Sequence, residues 1–267
     1  MIAFSTVKIN LGLRIISKRT DGFHNIESVF YPLSWGDAIE IEPVHQKTSL
    51  HLSGLQIPGN ENNNLCLKAY QLLKSDFEIG DFNIYLHKVV PTGTGLGGGS
   101  ADGAITLHLI NEQEKLGLTK AQLVNYAAKL GSDCPFFVYN SPMFVTGIGL
   151  ELEPFQIDLS SYQIALVIPK IHVSTTLAYS LVNPKEPKIP LAEILSKPIE
   201  NWKNNLINDF EEPVMEHFPA LRNIKEKLYE QGAIYASMSG SGSAFYGIFH
   251  KNQTVDIQME DVLFKKV

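Results

Sequence analysis

Cysteine is scarce in this chain. Of 267 residues only Cys66 and Cys134 are cysteines, and they do not form a CxxC pair, so neither a disulfide framework nor a structural zinc site has support. Basic residues are also outnumbered: 22 Lys and Arg stand against 28 Asp and Glu, for a formal net charge of −6. Because nucleic-acid affinity depends on basic contacts to phosphates, we expect no nucleic-acid partner, and an anionic ligand needs local, directed donors.

Long hydrophobic runs are absent as well. No apolar segment approaches the ~18 residues that a membrane helix needs. Lys8, Asn10 and Arg14 interrupt the N-terminal stretch, which is not typical of a secretory signal. We therefore expect a cytoplasmic protein without a membrane partner. With 44% hydrophobic residues, a chain of this length can build a real core and predicts two modest domains.

Strand patterns occur at both ends of the chain. Residues 7–15 alternate, so that Lys8 and Asn10 share the polar face of a predicted strand. Residues 82–90 alternate again and lead straight into a glycine-rich loop. The apolar strand "YQIALVIP" opens a second domain, which predicts domains at 1–157 and 158–267. Two further strands, "AIYASM" and "AFYGIF", flank "SGSGS" at 239–243.

Helix signals lie between these strands. Asn64 is the predicted N-cap of a helix over residues 65–73. Thr119 and Gln122 predict a capping box, and Gly131 predicts a left-handed end of the helix that follows. Asp133 then lies in a short connection before a predicted strand, "FFVYN".

The segment "PTGTGLGGGSADGA" (91–104) places five glycines between 93 and 99, before a helix for which Ser100 is the predicted N-cap. Backbone amides without side chains, at the positive end of a helix dipole, form a site for an anion, usually phosphate. A flexible linker is disfavoured, because the segment joins a strand to a capped helix.

Two other phosphate-binding motifs overlap this segment. Gly93, Gly95 and Gly98 match GxGxxG, but Pro91 interrupts the passage from strand to loop, and no clear strand ending in Asp or Glu follows about twenty residues on. A Walker A motif fits except that Gly99 stands where the lysine belongs. Both motifs are therefore disfavoured.

The same segment resembles the phosphate loop of the GHMP kinase superfamily. The N-terminal strand with Lys8 and the late loop "MSGSGSAFYGIF" also resemble that superfamily. Within it, "KINLGLRIISKRTDGFHNIESVF" and "LGSDCPFF" resemble the family of 4-diphosphocytidyl-2-C-methyl-D-erythritol kinases. These motifs occur in order over residues 8–247.

This resemblance implies a two-domain α+β fold, with an N-terminal ribosomal-protein-like α/β domain, a C-terminal ferredoxin-like α+β domain and an active site between them. It implies ATP-dependent phosphorylation of the 2-hydroxyl of a small molecule, diphosphocytidyl methylerythritol, in the non-mevalonate route to isoprenoid precursors. ATP and Mg²⁺ are the implied cofactors. The protein is expected to be a monomer or a homodimer.

The resemblance also assigns roles to residues. Lys8 and Asp133 are the implied catalytic residues. The implied phosphate-binding residues are Pro91, Gly93, Thr94, Gly95, Leu96, Gly97, Gly98, Gly99 and Ser100, with Ser100 also a Mg²⁺ contact. Asn64 falls on the adenine side. The implied substrate-binding residues are Asn10, Phe23, His24, Thr175, Tyr179, Gly240 and Gly242, with Phe23, His24 and Tyr179 around cytosine.

Physical chemistry offers simpler alternatives for several of these residues. An aspartate after the end of a helix is most often a solvated turn residue, and a lysine on the polar face of a strand is usually at the surface. Cys134 is predicted to be a small buried residue, not a nucleophile. Two other functions also stay open: a GHMP kinase acting on homoserine or a mevalonate derivative, and a catalytically silent binding protein of the same fold.

Overall fold

The computed structural model describes residues 1–267. It contains twelve strands: β1 (Ile2–Phe4), β2 (Val7–Lys18), β3 (His24–Leu33), β4 (Ala38–Val44), β5 (Ser49–Gly54), β6 (Asp81–Lys88), β7 (Met143–Thr146), β8 (Glu151–Pro154), β9 (Tyr162–Pro169), β10 (Tyr235–Met238), β11 (Phe245–His250) and β12 (Val262–Lys266). Its α-helices are α1 (Leu65–Asp76), α2 (Gly98–Gln113), α3 (Lys120–Leu130), α4 (Cys134–Tyr139), α5 (Thr175–Leu181), α6 (Leu191–Leu195), α7 (Glu211–His217) and α8 (Ala220–Glu230). Short 3₁₀ helices occur at Glu61–Asn63 and Ile199–Asn201.

The chain divides into two compact units. Unit 1 comprises Met1–Val7, Pro32–Thr92 and Gly97–Ser141, and unit 2 comprises Lys8–Tyr31, Gly93–Leu96 and Pro142–Val267. The chain therefore passes from one unit to the other several times, twice within the glycine-rich loop. The predicted domains, 1–157 and 158–267, are each a continuous stretch of chain, whereas these units are each made of three segments. The predicted division stays a prediction.

Unit 1 is built on a four-stranded sheet in the order β1-β4-β6-β5. β5 pairs with β6 in parallel, and the other pairs are antiparallel. Phe82, Ile84 and Leu86 of β6 point into a core that also takes buried residues from α1, α2 and α3. The strand predicted over 82–90 is thus confirmed for most of its length, and its inward face positions the chain that enters the glycine loop.

Unit 2 contains two four-stranded sheets, in the orders β2-β3-β7-β8 and β10-β11-β9-β12. The second of these is antiparallel throughout, and the predicted strands "YQIALVIP", "AIYASM" and "AFYGIF" form three of its four strands. Leu221, Ile224 and Leu228 of α8 lie at helical spacing and pack into the core of the unit. The mixture of helices and sheets in both units confirms the α+β class.

The strand β2 is buried on both faces, which its alternating sequence does not suggest. Val7 and Ile9 lie in the apolar interior, but Lys8 and Asn10 are only 3% and 0% exposed. The simpler alternative for Lys8, a lysine at the surface, is therefore excluded. Alternation describes a half-buried strand, whereas here the polar face is also covered, and its polar groups are hydrogen-bonded to protein instead of water.

Two predicted caps are confirmed and two predicted backbone features are wrong. The side chain of Asn64 caps α1 by accepting the N–H of Cys66, and Thr119 and its partner form the predicted capping box at α3. By contrast, α2 begins at Gly98, with Gly97 as N-cap in the left-handed conformation, so Ser100 lies inside the first turn. Gly131 ends α3 in an extended conformation with φ 170°, not in the left-handed one.

The predicted strand "FFVYN" is a helix, α4. Phe and Val favour strands in isolation, but Pro135 lies at the start of a helix, where its missing N–H costs nothing. This correction matters for the site, because Asp133 becomes the N-cap residue of α4 instead of a residue in an open connection. No helix of the structure has both the length and the apolar character to cross a membrane.

Candidate active site

Three consecutive glycines form the N-terminus of α2 in unit 1: Gly97 is the N-cap, and Gly98 and Gly99 are the first two residues of the helix. Gly97 needs its φ of +74°, which favours glycine. At Gly98 a side chain would meet the side chain of Val90 at 3.0 Å. At Gly99 nothing lies within 4 Å of the position that a Cβ would take, the residue is exposed, and φ is not positive. Neither packing nor backbone conformation therefore explains the glycine at position 99, whereas a ligand against these amides would explain it.

Asp133 and Ser100, also in unit 1, lie on either side of one buried cysteine. Asp133 precedes Cys134 in the chain and is half-buried, and its side chain does not cap α4. The hydroxyl of Ser100 hydrogen-bonds to the thiol of Cys134, whose pKa burial raises to about 12. A thiol with that pKa is not a nucleophile at neutral pH, so the prediction that Cys134 is a buried structural residue is confirmed.

Asn64 lies at the rim of a cavity of about 90 Å³ in unit 1. The cavity is lined by Leu52, Ile57, Pro58, Gly59, Asn60, Glu61, Asn63 and Asn64. Apolar walls with several amide groups suit a flat heterocycle. The side-chain oxygen of Asn64 is already used, because it accepts the N–H of Cys66 at 2.9 Å.

Lys8 and Asn10, in unit 2, form the centre of a buried polar network. Lys8 Nζ donates to Asn10 Oδ1 at 2.6 Å and lies 4.6 Å from the centre of the Phe30 ring. Asn10 Nδ2 donates to the hydroxyl of Ser28 at 2.9 Å. Asn10 Oδ1 also accepts the N–H of Gly240 at 2.9 Å. The amide of Asn10 therefore positions the Lys8 ammonium and a glycine of the late loop at the same time.

The two glycine-rich loops contact each other within unit 2. The carbonyl of Thr94 accepts the N–H of Ala244 at 3.0 Å, and the hydroxyl of Ser239 donates to the carbonyl of Gly95 at 3.0 Å. A side chain at position 95 would overlap the Ser239 carbonyl, and one at Gly240 would lie 3.1 Å from the Gly95 carbonyl. Both glycines are thus required by the contact between the loops, which the sequence did not reveal.

Other predicted residues of the first loop are held by neighbours in unit 2. A side chain at Gly93 would lie 2.7 Å from the ring of His172, which packs against this glycine. Leu96 is buried, and its carbonyl accepts the N–H of Lys8 at 2.9 Å. Pro91, by contrast, belongs to unit 1. It directly follows Val90, a buried residue between the end of β6 and the loop.

Asn208 is a residue of unit 2 that sequence analysis missed. Its Nδ2 donates to the carbonyls of Met238 and Gly240, both at 2.8 Å, and its Oδ1 accepts the N–H of Phe210 at 3.0 Å. Gly240 is thereby held from both sides, through its N–H by Asn10 and through its carbonyl by Asn208. No motif or periodicity in "KNNLINDFEE" distinguishes this asparagine from its neighbours, so only the fold identifies it.

The predicted cytosine-binding residues lie in unit 2 as an aromatic group. The rings of His24 and Tyr179 stack with centres 4.7 Å apart, and Phe210 meets Tyr179 edge-on at 4.8 Å. That spacing leaves no room for a base between the first two rings. Phe23 is 60% exposed and offers a free ring face. Burial, with the nearby charge of Lys18, lowers the pKa of His24, so its imidazole is neutral at neutral pH.

Thr175 and Gly242 complete the predicted substrate residues. The hydroxyl of Thr175 lies 3.4 Å from that of Ser241, and the N–H of Gly242 donates to the carbonyl of Ser239 at 3.0 Å. The amides of Gly240 and Gly242 are therefore both used within the protein. These two glycines shape the late loop and do not present open N–H groups.

Metal ligands are sparse in the structure. No group of three or more His, Cys, Asp or Glu side chains is arranged to hold a metal ion. Mg²⁺ in phosphoryl-transfer sites is held by one or two protein oxygens together with substrate phosphates and water, so it does not need such a group. The Ser100 hydroxyl at the start of α2 and the Asp133 carboxylate are oxygen groups of the type that Mg²⁺ prefers.

Comparison with known proteins identifies the family. The pattern of the GHMP kinases N terminal domain matches residues 64–141, and that of the GHMP kinases C terminal domain matches residues 191–262. A 4-diphosphocytidyl-2-C-methyl-D-erythritol kinase of Bacteroides fragilis is 48% identical over 258 residues, covering 96% of this chain and 94% of the relative. A crystal structure of 4-(cytidine 5'-diphospho)-2C-methyl-D-erythritol kinase superposes with a TM-score of 0.80 at 32% identity, over 94% of this chain and 91% of the other. A homoserine kinase from Cytophaga hutchinsonii, with a TM-score of 0.65 at 15% identity over 93% of this chain and 86% of its own, shares the fold alone. The chain belongs to the GHMP kinase superfamily.

Proposed function

We propose that this chain transfers the γ-phosphoryl group of ATP to the 2-hydroxyl of 4-diphosphocytidyl-2-C-methyl-D-erythritol, a step in isoprenoid precursor synthesis that does not pass through mevalonate. The observation that carries the proposal is the 48% identity, along almost the whole chain, to a relative named for this activity. Location in the cytoplasm and a monomeric or dimeric state stay predictions.

The nucleotide is assigned to residues of unit 1 and the first glycine loop. The N-terminal amides of α2, from Gly98 to Ser100, take the phosphates, and the unexplained glycine at position 99 supports close approach of a ligand there. The cavity beside Asn64 takes the adenine. This places the adenine at apolar walls and the phosphates at a helix N-terminus, as the chemistry of each part requires.

The transfer itself needs few protein groups. The substrate hydroxyl oxygen attacks the γ-phosphorus, the bond from that phosphorus to the β,γ-bridging oxygen breaks, and ADP leaves. Because such transition states are loose, positioning and neutralisation of charge matter more than early removal of the proton. Asp133 is assigned to orient the hydroxyl and accept its proton late, and Lys8 to stabilise the negative charge that develops on the oxygen.

Mg²⁺, when bound with ATP, would supply positive charge that neutralises the phosphates. The Ser100 hydroxyl and the Asp133 carboxylate are the protein oxygens available to it in unit 1. The hydrogen bond that the Ser100 hydroxyl donates to Cys134 orients this hydroxyl and leaves its oxygen lone pairs for another partner.

The cytidine end of the substrate is assigned to unit 2. The exposed ring of Phe23 provides a stacking face, Tyr179 supports the ring of His24, and the neutral imidazole of His24 is able to donate one hydrogen bond and accept another. A cytosine edge carries both donors and acceptors, so a neutral imidazole suits it better than an imidazolium. Thr175 and the late glycine loop are assigned to the remainder of the substrate.

The proposal is tested by measuring ADP release with ATP, Mg²⁺ and the diphosphocytidyl substrate. Asp133→Asn should lower kcat by roughly 10²-fold or more, because it removes the proton acceptor. Its dissociation constant for ATP should stay within about threefold of the wild-type value, because the amides that bind phosphate are unchanged.

Asp76→Asn is the matched control. Asp76 is an exposed carboxylate of the same unit, bonded to Tyr126 and Ser75 at the end of α1, far from the assigned groups in the sequence. We expect wild-type turnover from this variant. Loss of less than about threefold in Asp133→Asn would remove Asp133 from its assigned role. A wild-type protein that does not phosphorylate the diphosphocytidyl substrate would contradict the proposed function.

A further inference from the structure

Unit 1 contains a buried charged cluster that the proposed mechanism does not use. Its members are Asp37, which precedes β4, Lys88 at the end of β6, and Asp102 in α2, and their side chains are at most 4% exposed. Lys88 Nζ donates to a carboxylate oxygen of Asp37 and, at 2.7 Å, to Asp102 Oδ2. The hydroxyl of Ser5 joins the backbone of Asp37 to the carboxylate of Asp102, because it accepts the backbone N–H of Asp37 at 2.9 Å and donates to Asp102 Oδ1 at 3.2 Å.

Asp37 determines how the chain leaves the sheet before the first glycine loop. Its Oδ1 accepts the N–H groups of Val89 and Val90, at 2.6 and 2.9 Å. These two residues follow the last residue of β6 and precede Pro91. A buried amide without a partner is costly, so the carboxylate takes the place of a neighbouring strand and directs the chain into the loop.

Asp102 determines where the helix lies after the loop. It is the fifth residue of α2, one turn beyond Gly98, so its ion pair with Lys88 joins the strand before the loop to the helix after it. Gly98 makes a second contact between the same two elements, since its Cβ position lies 3.0 Å from the Val90 side chain and 3.7 Å from Asp37 Oδ2. Both ends of the loop are thus attached to one cluster.

Burial and the neighbouring charges act in opposite directions on the pKa values of Asp102 and Lys88. Burial raises the pKa of Asp102 to about 7, against the opposing effect of Lys88 and with a further increase from Asp37. The two carboxylates raise the pKa of Lys88 although burial alone would lower it, so the ammonium stays charged. Cys66 of α1 also faces the cluster, and burial raises its pKa to about 12, so it stays a neutral thiol. Buried ion clusters of this kind are a weak source of net stability, and their best-attested use is to fix geometry.

We propose that Asp37, Lys88 and Asp102 are positioning residues: they fix both ends of the first glycine loop and so orient the N-terminal amides of α2 toward the phosphates of the nucleotide. The inference rests on the proposed function only in taking ATP as the ligand of those amides. It assigns three residues that touch neither nucleotide nor substrate a measurable effect on nucleotide affinity.

Lys88→Met tests the inference most directly, because it breaks both ion pairs at once. We expect the dissociation constant of a non-hydrolysable ATP analogue with Mg²⁺ to rise roughly tenfold or more, since small misplacements of binding groups are costly. The KM for the diphosphocytidyl substrate should stay within about twofold, because that end of the substrate is assigned to unit 2. The melting temperature should also fall, because two carboxylates lose their counterion.

A second variant separates positioning from stability. In Lys88→Met/Asp102→Asn one of the uncompensated carboxylates is gone, so we expect the melting temperature to recover in part. Nucleotide affinity should not recover, because the link between β6 and α2 is still missing. Recovery of affinity in step with the melting temperature would show that the cluster only stabilises the fold, and would overturn the inference.

Leu73→Ala is the matched control for destabilisation. Leu73 is fully buried in the core of the same unit but belongs to α1 and not to the cluster. We expect a lower melting temperature with unchanged nucleotide affinity. An affinity loss as large as that of Lys88→Met, at a similar melting temperature, would contradict positioning. Because the readout is binding without turnover, failure to phosphorylate the diphosphocytidyl substrate would refute the proposed function and leave this test intact.

Discussion

A glycine can be required by its own backbone, by a neighbour or by a ligand, and the glycines of the first loop differ in which of these reasons applies. Gly97 has a φ of +74°. Gly93 and Gly95 combine positive φ with close neighbours, His172 and the Ser239 carbonyl. Gly99 has neither constraint, so a bound anion is the remaining reason for its missing side chain. The residue scale thus separates glycines that shape the loop from Gly99, which no protein contact explains and which we assign to the phosphates.

Gly99→Ala should therefore change stability and binding in opposite directions. An alanine in the first turn of α2 meets no protein atom and has the better helix propensity, so we expect stabilisation of about 0.5 to 1 kcal/mol. The added methyl group should meanwhile lower ATP affinity. Urea unfolding and titration with ATP measure the two effects. Unchanged or tighter ATP binding would mean that the amides of this turn do not face the phosphates.

The buried carboxyl of Asp102 should make stability depend on pH. Its pKa is raised in the folded protein from an ordinary 3.8 to about 7, so it favours folding most below about pH 4, and this contribution is lost as the pH rises through about 7. Asp102→Asn has no such proton to lose. The melting temperature of Asp102→Asn minus that of the wild type should therefore increase from pH 5 to pH 8.

Asp76→Asn is the control for that comparison, because the pKa of Asp76 is shifted in the opposite direction to that of Asp102. Hydrogen bonds from Tyr126 and Ser75 lower the pKa of Asp76, so its contribution to stability is present above about pH 4 and is lost only in more acidic solution. The melting difference between this variant and the wild type should stay constant from pH 5 to pH 8. A constant difference for Asp102→Asn as well would show that Asp102 is not the group that titrates.

At the scale of elements, the sequence predicted those features that depend on contacts between residues close together in the chain, such as helix caps. The caps at Asn64 and Thr119 follow from side chains that bond to amides two or three residues away, and they are confirmed. The helix α4 was predicted as a strand, because Phe136 and Phe137 favour strands locally whereas tertiary packing and Pro135 favour a helix. Propensity is a weak guide wherever burial decides.

Contacts between distant elements could not be predicted from local pattern. Lys8 and Asn10 were identified from their motif, but their burial depends on Gly240, some 230 residues away in the chain. Asn208 likewise bonds to carbonyls of a loop thirty residues later. Nothing within a short window of sequence contains that information. The site residues found by resemblance are those in motifs, and those missed are the ones that hold the motifs in place.

Asn208→Ala should loosen the late glycine loop. It removes both side-chain hydrogen bonds to Met238 and Gly240. The Gly240 carbonyl then loses its Asn208 donor, and the Met238 carbonyl keeps only the longer bond from the Ser237 hydroxyl at 3.4 Å. A buried polar group left without its partner costs about 1 to 3 kcal/mol. Urea unfolding measures this loss. Asn205→Ala is the matched control, because Asn205 is exposed and bonds to the carbonyl of Asn201 at 2.7 Å. Its unfolding free energy should change by less than about 0.5 kcal/mol. Equal effects of the two variants would mean that Asn208 does not hold the loop.

At the scale of the whole molecule, each unit has its own hydrophobic core, and each contains one of the two tryptophans. Trp35 belongs to unit 1 and Trp202 to unit 2. In Trp35→Phe, tryptophan fluorescence comes from Trp202 and reports on unit 2 alone. A ligand should raise the unfolding midpoint of the unit to which it binds, because a ligand at 100 times its dissociation constant stabilises the folded form by about 2.7 kcal/mol.

Thermal unfolding of Trp35→Phe therefore tests which substrate unit 2 recognises. Cytidine 5'-diphosphate should raise the midpoint reported by Trp202, because Phe23, His24 and Tyr179 are assigned to cytosine, and Tyr179→Ala in the same background should remove most of the shift. Homoserine and mevalonate should leave the midpoint unchanged, since neither offers a ring to stack. A shift with either of these, and none with cytidine 5'-diphosphate, would favour a kinase for another alcohol. A cytidine shift that persists in Tyr179→Ala would leave the substrate assignment intact and show that the support of the His24 ring by Tyr179 is not needed for cytidine binding.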